Sequence, residues 1–220
     1  MIMDWGQQRD QMVKSQIQNR GIKEKRILDA FLNVPRHLFV PEALRSQSYC
    51  DHPLPIGLNQ TISQPYIVAL MTQHLNVSSE DLVLEIGTGC GYQTAILAEL
   101  VKEVYSVEII PELSVIAHDN LSQFSYENIW LRNSDGLLGW KEEAPFDGII
   151  ITAAPADIPT PLLSQLKVAG EMIVPVGTFC QSLLRISKHK NGEIVKKTIT
   201  QVRFVPMTGK IEKIFDYQLS

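Results

Sequence analysis

Between residues 81 and 155 four short runs rich in β-branched residues follow one another: "DLVLEIG", "EVYSVEII", "NIWLRNSDG" and "FDGIIITAAP". A helical pattern or a loop separates each from the next, which is the spacing that parallel strands need for their crossover connections. The pattern predicts a doubly wound α/β fold with a mostly parallel sheet. Beyond it, "LLSQLKVAGEMIVPVG" reads as a helix, a turn and a fifth strand. In the segment after that, "KNGE" is a hairpin signal, because Asn-Gly supplies the positive φ angles of a tight turn. An antiparallel pair is therefore expected to close the sheet.

Upstream the periodicity is helical. Segments 8–20, stopped by Gly21, and 23–33, stopped before Pro35, read as helices, with a short one after Pro41 and another over about 64–75. Between the last two, "DHPLPIGLNQTISQPY" reads as a loop. There is no internal repeat, low-complexity tract or linker. The expected organisation is one domain over 1–220, with a helical N-terminal extension (1–80), an α/β core (81–207) and a tail (208–220).

Composition narrows the function classes. With 45% apolar and 20% charged residues the chain has the make-up of a soluble globular protein, and no apolar run approaches the ~20 residues of a membrane span. "MIMDWGQQRDQMVKSQ" lacks the features of a secretory signal, so a cytoplasmic location is expected. Cys50, Cys90 and Cys180 are far apart and lack CxxC spacing, and His37, His52, His74, His118 and His189 form no cluster. No disulfide framework and no metal are expected. A formal charge of −4 gives no electrostatic footprint for nucleic acid.

The most informative stretch is "VLEIGTGCGYQTAILAEL", a buried strand, a glycine turn and a helix. Such a turn presents unpaired helix N–H groups to a polar or anionic ligand. Gly87, Gly89 and Gly91 give G-x-G-x-G, with Tyr92 where a dinucleotide fingerprint needs its third glycine, and no P-loop lysine follows. Glu85, just before the turn, would repel a pyrophosphate but attract an ammonium or sulfonium group. Nineteen residues past Gly89, Glu108 ends the next strand, where a carboxylate accepts from both hydroxyls of a ribose; NAD enzymes share that feature. Asp135 and Gly136, after the third strand, lie where an adenine amino group would sit, although Asp135 also reads as a turn residue. Acid, glycines, ribose acid and third-strand acid in this order point to S-adenosylmethionine.

That block, together with "LPIGLNQTISQPYIVALM", "VPRHLFVPEA", "APFDGIIITAAP" and "VRFVPM", resembles the protein-L-isoaspartate O-methyltransferase family over nearly the whole chain, from about residue 8 to 207. "NQTISQP" and "VRFVPM" are the more specific blocks. The resemblance implies the Rossmann-like fold of S-adenosylmethionine-dependent methyltransferases and methyl transfer to the free α-carboxylate of L-isoaspartyl residues in damaged proteins and peptides. The ester then closes to a succinimide, and hydrolysis returns some normal aspartyl linkage. The active-site serine of the family maps onto Ser63, with Thr61 beside it. Substrate backbone is expected along Ile62, Ser63, Gln64 and Pro65 and along "VRFVPM", with Val205 at the end of the last strand. A monomer is expected.

Ser63 has a second reading from pattern alone, as the N-cap of a helix with proline in its first turn. Arg36 and His37 read as structural. Cys90 reads as a small space-filling residue, with a redox role as the alternative. Three other functions compete with this reading: an NAD-linked oxidoreductase, which the missing glycine disfavours; a nucleic-acid amino-methyltransferase, in which, by family resemblance, Asn/Asp-Pro-Pro-aromatic would replace "TAAP"; and a peptide-binding module without turnover.

Overall fold

The computed structural model describes residues 4–209. Asp4 caps the first helix, α1 (Trp5–Met12), by accepting from the Gln7 N–H at 3.0 Å. The helix continues through a widened turn (Val13–Ile17) and a 3₁₀ turn (Gln18–Arg20) to Gly21. There φ is +100°, a left-handed stop suited to glycine. α2 spans Lys25–Asn33, and a 3₁₀ turn over Glu42–Gln47 follows Pro41. The expected loop before Ser63 instead contains a hairpin, β1 (Leu54–Gly57) and β2 (Gln60–Ile62), turned by Leu58 and Asn59 at φ of +52° and +59°. Leucine is an unusual residue at that angle, so turn chemistry gave no warning.

α3 (Pro65–Leu75) leads into the sheet of β3 (Leu82–Ile86), β4 (Glu103–Glu108), β5 (Ile129–Asn133), β6 (Phe146–Ile151), β7 (Leu166–Val176), β8 (Gln181–Lys188) and β9 (Ile194–Val202). The order is β5-β4-β3-β6-β7-β8-β9. The first five strands run parallel, and β8 and β9 add antiparallel to the β7 edge. The hairpin between them closes at Gly192, with φ +83° and its N–H donating to His189 O at 2.9 Å. α4 (Tyr92–Ala98), α5 (Pro111–Leu121) and α6 (Thr160–Leu163) make the crossovers.

Two apolar clusters, one on each face, hold the sheet between them. Along β3, Val83 enters the cluster containing α1–α4 residues, while Leu84 and Ile86 enter the other. β6 repeats the alternation, with Ile150 on one side and Ile149 and Ile151 on the other. Period-two burial on both faces is what parallel strands covered by helices require. Strand order reverses between β3 and β6, and a crevice therefore opens at the carboxyl ends of these strands, the usual ligand position in open α/β sheets.

Candidate functional site

The crevice is an open cleft lined by the carboxyl ends of the strands and by the segments beside them. The ends of β3, β4 and β6 supply Gly87, Gly89, Glu108 and Thr152; the turn after β5 adds Gly136; β2 adds Thr61 and Ile62; Ser63 follows. A second groove shares Thr61, Ser63, Thr152 and Val205 with this cleft and runs on past Pro53, Gln64, Gln201 and Arg203. The two depressions thus meet at one wall.

The glycine turn is held from both sides. Gly87 has φ +95°, and a Cβ there would lie 2.3 Å from Thr152 Oγ1. That hydroxyl donates to the Gly87 carbonyl at 2.6 Å. From the other side Glu108 accepts the Gly89 N–H at 2.8 Å and the Ile110 N–H at 3.0 Å, one on each carboxylate oxygen. Each oxygen keeps a second lone pair. A Cβ on Gly89, also at positive φ, would lie 3.5 Å from Ile56 Cδ1, which faces it across the same cleft. A side chain there would fill the cradle, so the space is kept for a ligand. An anchored carboxylate, a backbone turn and the apolar surfaces of Ile109 and Met207 form a donor and acceptor set that fits a nucleoside with a charged tail.

Two expected cofactor residues stand behind this wall. The alternation that turns Val83 toward α4 turns Glu85 the same way, so Glu85 is fully buried beneath α4 and does not line the cleft. Its Oε2 accepts from Thr94 at 2.5 Å and Ser106 at 2.6 Å, while Oε1 has no partner among the described residues. Burial pushes its pKa up to about 7, with the two hydroxyls pulling the other way and Glu108 adding to the rise. Ser106 Oγ also meets Thr88 Oγ1 at 2.6 Å, and Thr88 lines the cleft, so a hydroxyl chain links the buried acid to it. Asp135 accepts the Leu137 N–H at 2.9 Å and caps the turn whose Gly136 lines the cleft.

Ser63 lies on the shared wall, and the capping alternative is not what the backbone does. Pro65 is the first residue of α3, Gln64 takes the cap position, and no side chain caps it. The Ser63 hydroxyl has no hydrogen-bond partner among the described residues, which leaves it for the cleft. Gln64 lines the second groove, and Pro65 is buried and lines neither. β9 ends at Val202, so Val205 lies beyond the last strand, where its carbonyl accepts the Ala154 N–H at 2.8 Å. Gln181 clamps Phe204, donating to its carbonyl at 3.1 Å and accepting its N–H at 2.6 Å. The Ser63 carbonyl accepts from Arg36. Backbone groups of Ser63, Phe204 and Val205, on the two segments where substrate backbone is expected, are thus engaged inside the protein.

Thr152 and Gln181 went unnoticed in the sequence. The position of Thr152, at the carboxyl end of a strand beside the switch point, was a signal that could have found it. Burial pushes the Cys90 thiol up to about 11, which suits the space-filling reading. No described helix is long and apolar enough to cross a membrane.

The doubly wound sheet, the anchored acid at the end of β4 and the glycine turn at the switch point define a nucleotide-type cofactor-binding α/β protein. Residues 7–212 match the family "Protein-L-isoaspartate(D-aspartate) O-methyltransferase (PCMT)". The chain belongs to that family. It is 51% identical over 203 residues to the protein-L-isoaspartate O-methyltransferase of Geobacter metallireducens, covering 92% of this chain and 94% of the relative. To that of Myxococcus xanthus it is 50% identical over 211 residues, covering 94% and 97%. A solved protein-L-isoaspartate O-methyltransferase superposes with TM-score 0.87 at 26% identity, over 96% of this chain and 69% of that one. A Plasmodium falciparum structure assigned to the same activity, in complex with S-adenosyl-L-homocysteine, shares the fold, with TM-score 0.80 at 24% identity, over 91% and 98%.

Proposed function

We propose that this chain is a protein-repair methyltransferase, moving a methyl group from S-adenosylmethionine to the free α-carboxylate of L-isoaspartyl residues in damaged proteins and peptides. The observation that carries the reading is the common wall of Thr61, Ser63, Thr152 and Val205 between the cleft at the strand ends and a second groove. Family membership supports the same reading. When bound, S-adenosylmethionine supplies the electrophilic methyl group. Glu108 would hold the ribose hydroxyls, the backbone from Gly87 to Gly89 would face the charged tail, and Gly136 would border the base. Glu85 and Asp135 act from behind, by setting the glycine turn and the turn after β5.

No general base is required, because a carboxylate with a pKa near 4 is ionised at pH 7. What the protein must supply is position, and well-oriented groups gain about 7–11 kcal/mol over reaction in free solution. The Ser63 hydroxyl donates to the acceptor carboxylate and fixes which oxygen attacks. Thr61, Ile62, Gln64 and Val205 border the peptide. A monomer in a cytoplasmic setting completes the reading.

The test is transfer of labelled methyl to a synthetic isoaspartyl peptide, with the normal aspartyl peptide as control. A base-labile label in the isoaspartyl peptide alone is expected; label in neither peptide would overturn the reading. Ser63→Ala is then expected to lower kcat/KM by about tenfold to a hundredfold, the worth of one hydrogen bond to a charged group. Because no cap is lost, its melting temperature should match wild type. Unchanged turnover would remove Ser63 from the mechanism.

A further inference from the structure

Arg36 is among the largest side chains with no exposed surface, and nothing in the methyl-transfer scheme uses it. Its Nε donates to the Ser48 carbonyl and its Nη2 to the Ser63 carbonyl, both at 2.8 Å. The guanidinium carbon lies 4.9 Å from the centre of the Tyr92 ring. Nη1 has no hydrogen-bond partner among the described residues. The ionisable groups around it are Tyr92, Cys90 and Tyr49, all neutral at pH 7, and no carboxylate pairs with it among the described residues.

A guanidinium stays charged even when buried, and burying one without a counter-ion is costly. Three of its neighbours, Ser63, Tyr92 and Cys90, line the cofactor cleft. The cation therefore lies one residue behind the wall where the two depressions meet, in a poorly screened environment.

We propose that Arg36 makes the site selective for an anionic acceptor, its unpaired buried charge drawing the substrate carboxylate to Ser63. The proposal rests on the methyl-transfer reading and adds to it the origin of acceptor charge selectivity. Arg36 is a positioning residue, since it reaches the acceptor only through the Ser63 backbone and through its field. The field acts on the two ends of the reaction unequally. It attracts the ionised acceptor and has no hold on the neutral ester, so it favours substrate entry and ester departure. Its removal should raise KM for the isoaspartyl peptide without lowering kcat, because negative charge on the acceptor is already fading in the transition state.

The experiment titrates two ligands onto protein saturated with S-adenosylhomocysteine: an isoaspartyl peptide and the same peptide with its α-carboxylate replaced by a carboxamide. Wild type, shown first to methylate the isoaspartyl peptide, is expected to prefer the carboxylate. In Arg36→Met that preference should shrink by at least about tenfold, the effect of one charge within about 12 Å at an effective dielectric near 20. Arg36→Lys should keep most of it. Equal weakening of both peptides in Arg36→Met would make Arg36 a backbone anchor only and overturn the proposal. A second measurement needs no variant. The wild-type preference should persist as salt rises to about 0.5 M, because a buried charge is little screened. A preference that collapses with salt would assign it to an exposed cation, such as Arg203 on the second groove, and would equally overturn the proposal. A wild-type protein that methylates neither peptide counts against the functional reading instead.

Discussion

Glu108→Ala is expected to weaken S-adenosylhomocysteine binding by at least about a hundredfold. Each oxygen of this carboxylate is held by one backbone N–H, from Gly89 or Ile110, which aims its remaining lone pair and prevents the side chain from turning away. Two ribose hydroxyls donating to an ionised acceptor are worth about 1.5–3 kcal/mol each, which converts to a factor between a hundred and ten thousand. The substitution also leaves the Gly89 and Ile110 N–H groups without their acceptor, so the turn loosens as the ribose contacts are lost. Glu108→Gln keeps one acceptor oxygen and should fall between alanine and wild type. Calorimetric titration of both variants checks the order, with melting temperature as the control for folding. A loss of less than about threefold in Glu108→Ala would mean that the carboxylate only braces the turn.

How these positions read in the sequence depends on whether their role follows from local chain direction. Glu108 was legible because an acid at the carboxyl end of the second parallel strand is placed by topology alone, and the strand ended where its pattern did. The glycines were legible for the same reason. Glu85 was recognised but misplaced: the period-two alternation of β3 was readable, but which face α4 would cover was not, and that face decides whether residue 85 meets solvent or Thr94. Ser63 carried two readings that pattern could not separate. A shift of one residue in the start of α3 moved the cap to Gln64 and left the hydroxyl facing the cleft.

The hairpin before Ser63 and the engagement of the segment after β9 were hidden for a different reason. Leu58 takes a left-handed angle that its residue type does not announce, so at that position the turn is held by the pairing of β1 with β2 rather than by its own chemistry. Gln181 holds Phe204 across 23 residues of chain, and Arg36 holds Ser63 across 27. Contacts of that length leave no periodic trace. The family resemblance drew attention to both segments without giving the side chains that secure them.

Glu85→Gln should make the protein less sensitive to pH, and the direction follows from burial. In the unfolded chain this carboxyl titrates near 4.5, whereas in the folded protein burial carries it to about 7. Between these values the folded state holds a proton that the unfolded state has released. The contribution of Glu85 to stability is therefore fully present below about pH 4.5 and is lost as pH rises through 7, by an amount on the order of 3 kcal/mol at pH 8. Glutamine keeps an acceptor oxygen for Thr94 and Ser106 and cannot ionise. Urea unfolding should find the variant and wild type similar near pH 5, with the variant more stable by about 2–3 kcal/mol at pH 8. Parallel stability curves from pH 5 to 8 would show that Glu85 is not held in this shifted state. An acid that costs stability above neutrality is out of place in a core chosen for stability alone. The hydroxyl chain from Glu85 through Ser106 to Thr88 gives a reason for it, because it ties the buried carboxyl to the cleft wall. S-adenosylhomocysteine affinity in the same variant measures how much of the setting of the turn depends on the acid rather than on its shape.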